Sequence, residues 1–205
     1  MRHIVPLFPF VRFLDLANWV TTLNILLSFI AVVTAYQGQL SWAASIICLA
    51  AILDFLDGHI ARTWLSADAP RRAFGKHLDS FADLLNFSVA PALILILLFP
   101  SFASVAVAAG LVLSGVLRLA VFAINDPKAP VGYRGLPTTY SGLLFALAFQ
   151  AVAASHLAAH ALVWLTLLIA VLQVTNLKLP KYKAMPTVTF IAVVFSLSTF
   201  LLHNA

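Results

Sequence analysis

Apolar residues run almost unbroken through this chain, and short polar interruptions divide the runs. The apolar stretches cover residues 19–36, 41–63, 75–98, 101–123, 139–156, 160–177 and 185–203. At 1.5 Å per helical residue, stretches of this length cross or nearly cross the roughly 30 Å of a bilayer's hydrocarbon. The interruptions have loop composition: QGQLS, the polar run 64–74, FPS, a Pro/Gly-rich stretch over 124–138, SHLAAH and KLPKYK. The stretches lack the period-two alternation of barrel strands, so they predict helices. The expected fold class is an all-α polytopic membrane protein with seven spans. Residues 1–18 open with MRHIVPLFPFVRF, which mixes basic and apolar positions and is followed by no small-residue cleavage site. We read them as a retained segment lying at the membrane interface.

Composition supports this pattern: 62% of residues are hydrophobic and 9% are charged. The single cysteine, Cys48, excludes an intrachain disulfide. The net charge of +5 changes the picture once it is placed on the spans. Arg2 and Arg12 precede the first span, and Arg62, Arg71, Arg72 and Lys76 surround the second loop. Arg118, Lys128 and Arg134 cluster at the end of the fourth span, and Lys178, Lys181 and Lys183 follow the sixth. All 12 basic residues thus fall on one side, which the positive-inside rule makes cytoplasmic. Trp19, Trp64 and Tyr182 sit near that face, and Tyr36 and Trp42 near the other, as interfacial aromatics do. The basic loops face anionic lipid headgroups. With no soluble basic domain, nucleic acid is excluded as a partner.

All 7 acidic residues are aspartates, and Asp54, Asp57, Asp79 and Asp83 fall inside spans two and three. A charge at the centre of a membrane helix costs about 2.5–3.5 kcal/mol on the insertion scale, so such residues mark function or a paired contact. Spacings of i,i+3 and i,i+4 put each pair on one helix face. Both pairs lie toward the cytoplasmic ends of adjacent antiparallel helices, which brings four carboxylates to one cavity. Bare, they would repel one another. Divalent cations remove that repulsion, and hard oxygen ligands select Mg²⁺, Mn²⁺ or Ca²⁺. Two such ions would balance four carboxylates and could clamp a phosphoryl group. Gly58 and Gly75 leave room beside the acids for a ligand or for a close helix approach. Two other readings compete. The aspartates could be helix glue paired with Arg62 and Lys76, or mark an ion path in a cation transporter. The transporter reading is weakened by the off-centre depth of the acids and by the lack of an internal repeat.

These residues resemble the CDP-alcohol phosphotransferase family, whose signature is D-x-x-D-G-x-x-A-R, a spacer, then G-x-x-x-D-x-x-x-D. Here that reads Asp54, Asp57, Gly58, Ala61, Arg62, then Gly75, Asp79 and Asp83. The spacer TWLSADAPRRAF (63–74) is four residues longer than is common in the family. FGKHLDSFADLLNFSVAPALIL (74–95), LRLAVFAIND (117–126), YRGLP (133–137) and LKLPKYK resemble the family's serine-transferring branch. So do Asn18, Thr21 and Asn24 of the first span. Asn86, Ser88, Val121 and Thr139 depart from that branch's usual residues. The resemblance implies a six-helix transmembrane core over 19–183, with 184–205 as an extra C-terminal transmembrane helix.

It further implies a metal-dependent transfer of a phosphatidyl group from CDP-diacylglycerol to the hydroxyl of L-serine, with release of CMP. By carry-over, Asp54, Asp57, Asp79 and Asp83 hold Mg²⁺ or Mn²⁺, two ions in all, and Asp83 is the general base. Thr21, Gly58, Ala61, Arg62 and Gly75 would serve the nucleotide and its pyrophosphate. Arg118 and Arg134 are candidates for the acceptor, because an Arg fork matches carboxylate and phosphate alike. The active site would lie toward the cytoplasmic face of the bilayer, in a homodimer. Inositol phosphate or glycerol phosphate is the alternative acceptor. His59, His77, His156 and His160 are read as bystanders, the last two because no third ligand accompanies their i,i+4 spacing.

Overall fold

The structure, a computed structural model, describes residues 8–63, 68–124, 133–154, 157, 158 and 160–179. The seventh span expected over 185–203 lies outside them, as do Arg2, Lys128, Lys181, Lys183 and His156. A short 3₁₀ turn, Pro9–Phe13, precedes α1 (Leu16–Tyr36) and α2 (Leu40–Thr63). Helix α3 (Ala69–Leu84) passes through one π-helical turn (Leu85–Val89) into α4 (Ala90–Leu98). Then follow α5 (Phe102–Ile124), α6 (Thr138–Ala153) and α7 (Ala161–Val174). Tyr133–Arg134 (β1) and Lys178–Leu179 (β2) form a two-residue antiparallel ladder that ties the start of α6 to the end of α7.

Four of these helices, Leu16–Tyr36, Leu40–Ala61, Ala69–Leu98 and Phe102–Ile124, are long and apolar enough to cross a membrane, whereas α6 and α7 are shorter apolar helices. The outer surface is apolar: Leu23, Phe29, Leu113, Phe122, Trp164 and Leu168 are exposed. Lipid tails are as apolar as these side chains, so association rests on close packing more than on burial. Helix α2 packs with small residues: Ala43, Ala44, Cys48, Ala50 and Ala51 are fully buried against Ala31 and Ala35 of α1 and Phe145 and Phe149 of α6.

Helix ends follow local chemistry. Asp15 caps α1 by accepting from Asn18 N, and Asp68 caps α3 by accepting from Arg71 N, with Pro70 in the first turn. The cap at Asp68 starts α3 six residues before the apolar run at 75, so residues 69–73 stand exposed beyond the bundle. A polar helix extension of this kind is invisible to hydropathy. The π turn has a cause in Pro91, which lacks an N–H and whose ring would crowd the Phe87 carbonyl. The helix widens, and Ala90 N bonds instead to Leu85 O. The widened turn is seated in two glycine notches. A Cβ on Gly115 of α5 would collide with Ser88, and one on Gly142 of α6 would collide with Phe87. The segment carrying Asp79 and Asp83 is thereby fixed between α5 and α6.

Candidate active site

Three aspartates converge. Asp54 and Asp57 on α2 and Asp79 on α3 each offer a carboxylate oxygen, and these oxygens all lie within 4.8 Å of one another. Asp83, one turn beyond Asp79, adjoins Asp54. Asp57 is buried, and Asp54, Asp79 and Asp83 are partly buried. Three of the four carboxylates expected to converge thus meet, and Asp83 joins them through its neighbour Asp54.

Hydroxyls from the two flanking helices hold the acids. Thr21 Oγ1 of α1 donates to Asp57 Oδ2 and also lies 3.1 Å from the main-chain carbonyl of Ala17. At the start of α6, Thr138 Oγ1 donates to Asp83 Oδ2 at 3.1 Å. Thr139 Oγ1 donates to Asp54 Oδ2 at 3.2 Å. Pro137 begins that helix and presents both hydroxyls in its first turn. These donors are neutral, so they orient the carboxylates without cancelling charge. Asp83 Oδ1 is buried and accepts no hydrogen bond among the described residues.

The donor set fits a hard divalent cation. It consists of carboxylate oxygens alone, the ligands that Mg²⁺ and Mn²⁺ take. Opposed ligands of an ion bound at about 2.1 Å are about 4.2 Å apart. The triad's oxygens, all within 4.8 Å of one another, are grouped on that scale.

The remaining expected site residues fall into place unevenly. Thr21 reaches the acids directly. Gly75 is packed against Asn18, whose Oδ1 a Cβ would strike. Of the two uses open to it, the geometry displays the close helix approach. Asn18 is itself anchored, with Nδ2 donating to Phe13 O at 2.8 Å. Gly58 lies one residue beyond Asp57, and Ala61 and Arg62 follow in the last turn of α2. Arg118 is partly buried in α5 and engaged by a neighbour. The backbone of Arg134 pairs with Lys178, away from the helical acids in sequence but at the foot of α6. His59 is exposed and stacks on Phe55, and His77 and His160 are exposed. Thr138 escaped the sequence reading, and Thr139 entered it only as a departure. The available signal was two successive hydroxyl residues following a proline at a span's basic end, a pattern that serves ordinary helix capping equally well.

The CDP-alcohol phosphatidyltransferase family model matches residues 14–175. A CDP-diacylglycerol–serine O-phosphatidyltransferase of Methanocaldococcus jannaschii is 34% identical over 86% of this chain and 79% of its own length. An archaetidylserine synthase of Methanothermobacter thermautotrophicus is 26% identical over 84% of this chain and 72% of its own. A serine O-phosphatidyltransferase of Helicobacter pylori is 29% identical over 81% and 72%, respectively. The chain belongs to the CDP-alcohol phosphatidyltransferase family, and the matched residues include the cluster of Asp54, Asp57 and Asp79. It is an integral membrane transferase.

Proposed function

We propose that this chain transfers a phosphatidyl group from CDP-diacylglycerol to L-serine, yielding phosphatidylserine and CMP. The observation that carries the proposal is the convergence of the signature aspartates in a chain whose relatives are named for serine transfer. Asp54, Asp57 and Asp79 would hold Mg²⁺ or Mn²⁺, with Asp83 completing a two-ion site. Such ions, when bound, neutralise pyrophosphate charge and orient it for in-line displacement. The protein's own groups do the rest. Asp83 Oδ1 has no competing hydrogen bond among the described residues, so it can accept the proton of the serine hydroxyl. The serine oxygen bonds to the phosphorus that bears diacylglycerol, and the bond from that phosphorus to the bridging oxygen breaks. CMP leaves with the electron pair. Thr138 keeps the Asp83 carboxylate turned toward the acceptor, and Thr21 and Thr139 fix Asp57 and Asp54.

Thr21, Gly58, Ala61 and Arg62 would hold the nucleotide and pyrophosphate, Gly75 would let α3 approach α1 beside them, and Arg118 and Arg134 would meet the serine carboxylate. By the positive-inside rule the basic loops favour the cytoplasmic face for this end, where acyl chains would stay in the bilayer while nucleotide and serine come from water. A homodimer is the expected assembly. The test is CMP release by purified protein from CDP-diacylglycerol with Mg²⁺ or Mn²⁺, comparing serine, inositol phosphate and glycerol phosphate. Release that needs both metal and serine is expected. Release with a phosphorylated acceptor alone would overturn the acceptor, and release with none would overturn the reaction.

A further inference from the structure

Outside the site aspartates, the 3₁₀ turn Pro9–Phe13 and the exposed first turn of α3 border an open surface cavity of about 380 Å³ lined by Arg12, Phe13, Asp68, Pro70 and Arg71. Its construction is specific. Arg71 Nε donates to the main-chain carbonyl of Arg12 at 3.1 Å, which leaves the terminal nitrogens of Arg71 for another acceptor. The Arg12 guanidinium sits 4.6 Å over the Phe13 ring, and Phe13 in turn stacks on Phe74 at 5.3 Å. Asp68 is the one carboxylate in the lining, and its Oδ1 is committed to Arg71 N as the α3 cap. Among the described residues neither arginine has a carboxylate partner. The lining therefore carries two guanidinium charges against one carboxylate, beside the stacked Phe13–Phe74 pair.

What surrounds the cavity is apolar. Phe8 just before the 3₁₀ turn, Phe10 and Val11 on it, and Leu16 and Trp19 on α1 are half exposed or more. A surface pairing aromatic rings with arginines at a span's end is suited to the headgroup level of a bilayer. We propose that this cavity binds the phosphate of an anionic phospholipid headgroup, with the acyl chains lying along Phe10, Leu16 and Trp19. Planar guanidinium forks match phosphate oxygens, and the half-exposed rings match the glycerol and upper acyl carbons. A free phosphate ion would satisfy the arginines and leave those rings uncovered. This site is separate from the acids and does not depend on the reaction proposed above.

Lipid retention tests it directly. The protein, purified in detergent with a mixture of phosphatidylglycerol and phosphatidylcholine, is examined by native mass spectrometry for bound lipid. Wild type should retain phosphatidylglycerol preferentially, and Arg12→Gln should lower that preference about fivefold. Arg12 contributes only its main-chain carbonyl to the bond with Arg71, so the glutamine variant keeps that tie and its fold. Arg72→Gln removes an exposed charge outside the cavity lining and should leave retention unchanged. Excess inorganic phosphate should not displace the lipid. Equal losses in the Arg12 and Arg72 variants would reduce the site to general surface charge and overturn it. So would a wild type without preference, or displacement of lipid by inorganic phosphate.

Discussion

Helix α6 joins two buried polar clusters that differ in one respect. Its first residues, Thr138 and Thr139, face the carboxylates, and one turn further Ser141 faces Gln173 of α7. In the second cluster Gln173 Nε2 donates to Ser141 Oγ at 2.8 Å, and Gln173 Oε1 accepts from Ser114 Oγ of α5 at 2.8 Å. Ser141 Oγ in turn donates to Pro137 O at 3.2 Å. Donors and acceptors match there, and no charge is involved. In the first cluster, carboxylates crowd together, the threonines that reach them are neutral, and Asp83 Oδ1 is left over. A matched neutral network holds helices together and asks for nothing more. A network rich in carboxylate acceptors keeps a like-charge repulsion that a cation relieves, and that marks it as a binding site. The difference separates structural polarity from functional polarity within one helix turn.

The largest effect should come from removing a carboxylate from the cation-binding triad. Asp57→Asn or Asp79→Asn is expected to lower CMP release about 10³-fold or more, since the reaction relies on charge neutralisation at the phosphates. The same variants lose like-charge repulsion, so in the presence of a chelator their melting temperature should equal or exceed that of wild type. Added Mn²⁺ should stabilise wild type and leave the variants unmoved, because a ligand stabilises only a state that binds it. A variant that melts well below wild type in chelator would place these aspartates in the structural class with Gln173.

Asp83→Asn comes next and tests the other side of the acid cluster. Losing the proton acceptor should cost about 10²–10⁴-fold in turnover. Binding of CDP-diacylglycerol, measured by titration with metal present, should remain detectable. Near-normal turnover would remove Asp83 from the base role.

How much of this contrast was readable in advance depends on side-chain chemistry. Asp54, Asp57, Asp79 and Asp83 announce themselves because a charge inside an apolar run has few structural excuses. Their helical spacing then fixes which face they share. The helices themselves follow from apolar length, apart from the polar extension of α3, which its Asp68 cap creates. The neutral partners were not readable. Serine, threonine and glutamine in a membrane helix can bond to their own backbone, as Thr166 does to Leu162 O, so their presence does not reveal a tertiary role. Thr138, Ser141 and Gln173 acquire theirs only from the angle at which α6 meets its neighbours. Gly142 illustrates the same limit: its need for a missing side chain comes from Phe87, far off in sequence.

Gln173→Leu should show the opposite signature to the aspartates. It strands the hydroxyls of Ser114 and Ser141, and each buried unpaired hydroxyl costs about 1–3 kcal/mol. The serines can fall back partly on backbone carbonyls, Ser114 on Leu111 O and Ser141 on Pro137 O, which holds the loss to the low end. Thermal stability should fall with and without metal, while turnover per folded molecule stays within about twofold of wild type. A large drop in turnover at full occupancy of the folded state would mean that the α7 network positions the acids as well.

The sharpest test of the boundary between the clusters, and the one with the smallest expected effect on stability, is Thr139→Val. Valine keeps the shape and the β-branch of threonine, so packing at the start of α6 should survive. What disappears is one neutral donor to Asp54 Oδ2. A single hydrogen bond to a charged acceptor is worth about 1.5–3 kcal/mol, and water or metal can replace part of it at a partly buried carboxylate. Turnover at saturating Mg²⁺ should therefore fall about tenfold, and the Mg²⁺ concentration for half-maximal activity should rise. Supplying more metal should recover part of the loss. A melting temperature unchanged in chelator would confirm that the hydroxyl orients a ligand and does not hold up the fold. If Thr139→Val instead behaves like Gln173→Leu, losing stability with no change in metal requirement, then α6 serves one structural network from both of its faces.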